Sequence, residues 1–109
     1  MGAIQDGMAR FDISRLDEVI HGRLRLGVMT YLLSAHSADF SDLKIRLKAT
    51  AGNLSAQLGK LEVAGYIQII KTFEGRKTMT RAAITPAGQA AFKAYRQAVL
   101  DLIADLDAP

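Results

Sequence analysis

The chain has 109 residues, half of them hydrophobic, with no cysteine and a formal net charge of +3. Its length bounds it to one domain with a modest core, its apolar fraction excludes disorder on composition, and the missing cysteines exclude disulfides, thiolate metal sites and thiol redox switches. No apolar run approaches the roughly 20 residues that span a bilayer and Met1–Arg10 lacks a signal-peptide pattern, so a soluble cytoplasmic protein without membrane partners is expected.

Charge is spread unevenly. Residues 1–20 carry two basic and four acidic side chains, residues 21–81 ten and four, and residues 82–109 two and three. The middle is therefore the part expected to face a polyanion, although a solvated face would give the same totals.

The chain shows no repeat, low-complexity segment or linker. Residues through about Ile13 read as a loose arm. Ser14 is placed to cap a short helix with Leu16, Val19 and Ile20 on one side, interrupted by Gly22. A longer helix is predicted from Arg23 to about Ala35, with Leu24, Val28 and Leu32 at four-residue spacing and Met29 and Leu33 alongside. In the next helix Ser41 is the expected cap and Asp42 suits the positive end of the dipole. Phe40 and Ile45 are spaced as a hydrophobic staple, Leu43 and Leu47 face inward, and Lys48-Ala49 ends the helix.

Thr50 can cap a third helix over residues 51–64. At about 100° per residue, Leu54, Leu58 and Leu61 form its buried stripe. Asn53, Gln57 and Lys60 occupy one flank, with Gly52, Ala56 and Gly59 behind them, so the exposed side is polar, small and short of acids. Gly65 is a natural left-handed residue past the helix end that lets Tyr66 fold back on Leu61. Tyr66–Phe73 and Thr78–Ile84 then read as a hairpin with Glu74-Gly75-Arg76-Lys77 at its tip. Thr85 and Pro86 open a last helix, on which Phe92, Tyr95, Val99, Leu102 and Leu106 form a narrow apolar seam.

The order of these pieces resembles small winged helix-turn-helix regulators related to the MarR and ArsR groups, and most closely a compact winged-helix DNA-binding subgroup. The resemblance rests on Arg23-Leu24, Phe40-Ser41-Asp42-Leu43, Gly52-Asn53-Leu54-Ser55, Leu58 and Leu61-Glu62, Ala64-Gly65-Tyr66-Ile67, and Ile84-Thr85 with Ala87-Gly88. Each piece is weak alone; together they span residues 23–95. The resemblance implies a mainly α fold with a small β-hairpin, an α+β winged helix. It also implies a bacterial transcriptional regulator, in the repressor mode by expectation, that binds pseudo-palindromic double-stranded DNA as a homodimer. Residues 1–22 would be an arm and short helix, 23–85 the DNA-binding core, and 86–109 a dimerisation helix.

Thr50, Asn53, Ser55, Gln57 and Lys60 match the reading helix of that family, and Arg76 and Lys77 its wing tip. Ala51 and Ala56 stand where relatives often carry longer polar side chains, and Gln57 where many carry His or Arg. As chemistry, Asn53 and Gln57 can each pair with adenine in the major groove, or be ordinary solvent-facing amides. Thr50 and Ser55 suit phosphate or capping roles. Lys60, Arg76 and Lys77 suit phosphates, and Arg76 also a narrow A·T-rich minor groove. Lys44, Arg46 and Lys48 fit either the flanking backbone or a solvated face. The terminal seam can pack on its own first helix or, with Leu16, Val19 and Ile20, pair with a second subunit.

The two histidines, His21 and His36, have no converging ligand set, so neither metal nor cofactor is expected. No phosphate-cradling loop, metalloprotease helix or nucleophile elbow appears, so no enzyme activity is expected. The rival from another class is a winged-helix interaction module that presents the same surface to an acidic protein. A small-molecule effector pocket between core and terminal helix is compatible with either reading, but no polar cluster identifies a ligand.

Overall fold

The structure is a computed structural model that describes residues 12–107, and side chains as far as Ala104. The expected arm up to Phe11 and the side chain of Leu106 lie outside the described residues. A 3-10 turn at Ile13–Arg15 precedes α1 (Arg23–Ala35), β1 (Ser37–Asp39), α2 (Phe40–Arg46), α3 (Ala51–Val63), β2 (Ile67–Glu74), β3 (Lys77–Ile84) and α4 (Pro86–Asp107). This is an α+β winged helix with a long C-terminal helix.

Except for the short helix expected after Ser14, the helices form where their apolar spacing predicts, because each stripe has a partner. Val28, Met29 and Leu32 of α1, Leu43 of α2, and Leu54, Leu58 and Leu61 of α3 are all buried in one cluster, closed beneath by Ile67 and Ala82 of the sheet. Burying one such leucine contributes about 1.5–3 kcal/mol, so three on a helix of 13 residues outweigh its two interior glycines, each about 1 kcal/mol worse than alanine. The α3 cap is as expected: Thr50 Oγ1 accepts from the Asn53 amide at 3.2 Å.

Two expected caps are corrected. Asp12, rather than Ser14, caps the opening turn, accepting from the Ser14 amide at 2.9 Å. No helix follows; Asp17 instead folds residues 17–20 into a turn by accepting from the Val19 and Ile20 amides at 2.8 and 3.2 Å. Asp39, rather than Ser41, stands at the head of α2 and spends its carboxylate on Arg81 at 2.6 Å instead of the helix amides. The Phe40–Ile45 staple does not form, since Ile45 is 75% exposed while Leu43 and Leu47 take the inward positions.

The sheet runs β1-β3-β2, antiparallel throughout. β2 and β3 pair from Ile67↔Ile84 to Glu74↔Lys77, leaving Gly75-Arg76 as a two-residue loop whose first residue has φ +63°. A hairpin twisted in the native sense needs that left-handed backbone, which glycine adopts without steric cost. β1 is an addition to the expected elements. It pairs Ala38 with Ala82, and Arg81 clamps it by donating to Asp39 and, at 2.8 Å, to Ser37 Oγ.

Three ends converge at Thr85. Its amide donates to Tyr66 O at 3.0 Å, its hydroxyl donates to Gly65 O at 2.6 Å, and that same oxygen accepts from the Gly88 amide at 3.0 Å. α4 consequently starts against the exit of α3. Phe92, Tyr95 and Ala98 are buried, and Tyr95 shares a 2.8 Å hydrogen bond with His21 Nδ1. Further along, Arg15 pairs with Asp101 at 2.8 Å. Ile20, Phe92 and Tyr95, expected to face a second subunit, are thus already buried within their own chain. Leu16, Val99 and Leu102 are half-buried, whereas Leu100 and Ile103 are 46% and 50% exposed. Among the described residues no helix is long and apolar enough to cross a membrane.

Candidate nucleic-acid interface

α3 is held by its leucine stripe, so its other faces are fixed relative to the core. Thr50, Asn53 and Lys60 are exposed along one side and Gln57 is half-buried among them. The back of the helix, Gly52, Ala56 and Gly59, carries almost no side-chain bulk, and Val63 at its end is 91% exposed. That combination leaves a helix surface able to approach another polymer closely.

Beside this flank lies a groove of about 560 Å³ bordered by Arg23, Arg25, Arg46, Lys48, Asn53 and Gln57. Four cations from two helices and a turn meet there, and no acidic side chain lines it. Lys48 sits at φ +52°, which turns the chain between α2 and α3. Arg46 pairs with Asp42 at 3.0 Å and lies over the Tyr31 ring at 5.0 Å; as an exposed i,i+4 pair this link is weak and easily exchanged for a phosphate. The acid nearest in sequence on α3, Glu62, is turned to the sheet side, where it accepts from the Ile69 amide at 3.0 Å.

Within the groove Arg25 Nη1 donates to Gln57 Oε1, and Gln57 Nε2 donates to Asn53 Oδ1 at 3.1 Å. The guanidinium is fixed from behind by Nε donating to Val19 O at 2.5 Å. Asn53 and Gln57 are therefore brought together as expected. Ser55 is not with them: it lies on the opposite flank, exposed beside Phe40, Ile69 and Lys71. Arg23 and Arg25 were not among the expected contacts. Their only signal was position at the start of α1, and Arg25 meets Gln57 across 32 positions of sequence.

The hairpin tip is separate. Every residue from Ile70 to Thr78 is exposed, so the distal half of β2 and β3 stands off the core as a wing with Arg76 and Lys77 at its end. Among the described residues no group of three or more His, Asp or Glu could hold a metal.

Comparison with known proteins agrees with this geometry. An uncharacterized protein of Methanocaldococcus jannaschii is 29% identical over 90 residues, covering 83% of this chain and 98% of that one. The solved structure of a transcriptional regulator homologue from Pyrococcus horikoshii matches with a TM-score of 0.79 and 27% identity over 99% of this chain and all of that one. YusO of Bacillus subtilis shares the fold at a TM-score of 0.67 and 14% identity, covering 94% of this chain and 72% of that one. Residues 24–103 match the winged helix DNA-binding domain family. With a three-helix core, a wing and a cation-lined flank of α3 on one chain, the protein belongs to that winged helix DNA-binding domain family.

Proposed function

We propose that the protein binds pseudo-palindromic operator DNA as a homodimer and represses transcription by occupying the promoter. The observation that carries this reading is the acid-free groove of Arg23, Arg25, Arg46 and Lys48 lying against the Asn53–Gln57 flank of α3. A helix end that reads base edges needs cations beside it to hold the phosphates on either side of the major groove. Arg76 and Lys77 on the wing would take the neighbouring backbone, and Thr50, at the start of α3, a phosphate directly. Lys60 is a further phosphate contact; Ser55, on the far flank, fits a contact with the opposite strand.

In this scheme residues 23–85 form the DNA-binding core and residues 86–109 the dimerisation helix. The apolar surface for a second subunit is supported by Leu100 and Ile103, which are exposed beyond the point where α4 packs on its own chain. Val99 and Leu102 flank that patch. A dimer supplies the second reading helix that two half-sites about one helical turn apart require.

The test is retention of a random duplex pool across a salt series, followed by sequencing. The expected result is a palindromic motif with half-sites about 10 base pairs apart and an affinity that falls steeply with salt. Absence of retention even at low salt would refute DNA binding and favour an acidic protein as the occupant of the groove.

A further inference from the structure

The contacts of Gln57 determine which atoms the reading helix can offer. Arginine has five N–H donors and no acceptor, so the Gln57 atom facing Arg25 has to be Oε1. Nε2 then points toward Asn53, and because it can only donate, Asn53 turns Oδ1 to meet it at 3.1 Å. Nδ2 of Asn53 is left on the other side of its amide, on an exposed residue. Each orientation forces the next, so neither amide is free to choose which end it presents. The first member of the chain is itself anchored: Arg25 is half-buried, with Nε on Val19 O at 2.5 Å and Nη2 3.4 Å from Glu18 O.

We infer that Arg25 is a specificity-determining positioning residue that makes α3 present N–H donors, and so select guanine over adenine at the base pairs it reads. This rests on the reading of α3 as the DNA-reading helix. Pairing with adenine takes an oxygen and an N–H from the same amide, to meet N6–H and N7. Here Oε1 of Gln57 already accepts from Arg25 and Oδ1 of Asn53 from Gln57, so each oxygen has one of its two lone pairs engaged and is turned toward its partner. The N–H groups left unengaged are the Nδ2 pair of Asn53 and the second N–H of Gln57. Guanine offers two adjacent acceptors in the major groove, N7 and O6, and no donor there. Unengaged donors favour guanine, whereas adenine N6–H has to share an oxygen that already accepts one hydrogen bond.

The experiment selects a random duplex pool with the full chain and with Gln57→Met and Arg25→Met, at one low salt concentration. Contacted positions are those whose preference disappears in Asn53→Ala or in Gln57→Ala, and folding of each variant is checked by its melting curve. The wild type is expected to select guanine at those positions. Gln57→Met releases Asn53 Oδ1 and should shift the relative affinity at one of them toward adenine by at least about fivefold. Arg25→Met releases Gln57 Oε1 and should do so at its neighbour. If Arg25→Met fails to fold after losing its bond to Val19, Arg25→Lys takes its place, because one ammonium cannot reproduce the fork that holds Val19 O and Gln57 Oε1 together. A wild type that selects adenine there, or folded variants with an unchanged motif and a uniform loss across sequences, overturns the inference and leaves Arg25 a brace or phosphate contact. A wild type that retains no duplex at this low salt overturns the DNA reading itself, and this inference with it.

Discussion

The Tyr66 hydroxyl donates to the Asp17 carboxylate, tying the entrance of β2 to the turn that precedes α1 across 49 residues of sequence. The other Asp17 oxygen holds the Val19 and Ile20 amides, so one carboxylate organises the turn and moors it. Arg25 leans on that same turn through Val19 O, which links this mooring to the groove.

Removing the mooring should be visible in stability. The hydrogen bond to Asp17, then burial and the Asp17 charge, push the Tyr66 hydroxyl up to about 12 from its ordinary 10. A group whose proton is held more tightly when folded contributes fully below its unfolded value and loses that contribution as pH rises to the folded one. Tyr66→Phe should therefore cost about 1–2 kcal/mol at pH 8, and the gap to wild type should close between pH 10 and about 12. Urea unfolding at a series of pH values measures it; a gap independent of pH would contradict this account.

Two glycines in helices should respond oppositely to alanine. A Cβ on Gly88 would lie 2.2 Å from the Tyr66 carbonyl oxygen, a backbone atom that cannot swing aside. Gly88→Ala should cost about 2–3 kcal/mol by forcing α4 away from β2. A Cβ on Gly59 meets nothing within 4 Å, so Gly59→Ala should add up to about 1 kcal/mol. Thermal melts of both proteins compare the two sites directly.

For subunit contact the decisive residues are the exposed ones. Leu100→Asp with Ile103→Asp should give a folded monomer in sedimentation, with the melting of the isolated core changed by no more than about 0.5 kcal/mol, as for ordinary surface positions. A dimer that survives both changes would place the interface elsewhere. Val99→Asp is a poorer probe, because half-buried Val99 packs against its own core.

The wing predicts a change of slope rather than of sequence. Arg76→Ala with Lys77→Ala should weaken every duplex alike and flatten the log–log salt dependence by about 1.8, the value for two phosphates. An unchanged slope would remove the tip from the interface.

What the sequence made legible was whatever is local. Thr50, the Leu54–Leu58–Leu61 stripe and Gly65 set the limits of α3 through neighbours within a few positions, and the bounds of α1 and of the hairpin were readable for the same reason. What it hid depends on distant partners. β1 has three residues, too few for a periodicity, and exists because β3 offers it an edge and Arg81 a clamp. Asp39 was passed over as a helix start because its carboxylate is used by a residue 42 positions away. The staple looked sound from spacing, but Leu43 and Leu47 had already taken the inward side of a helix only seven residues long. Arg25 carried only its place at the start of α1, since nothing near it in sequence announces that Gln57 lies opposite.

The sheet order has a consequence for timing. β3 is the last strand made and the neighbour of both others, so neither β1 nor β2 has an edge to join until residues 77–84 exist. A growing chain that ends before them can coil its first three helices, yet Ala38 and Ile67 have no strand to settle against. Closing the β1–β3 register draws together Ser37 and Ala83 across the whole of α3, the slow kind of step that sets folding rate. Gln57 and all of α3 thus lie inside a loop that the final strand seals while Arg25 precedes it, and the groove they share matures only when the wing does.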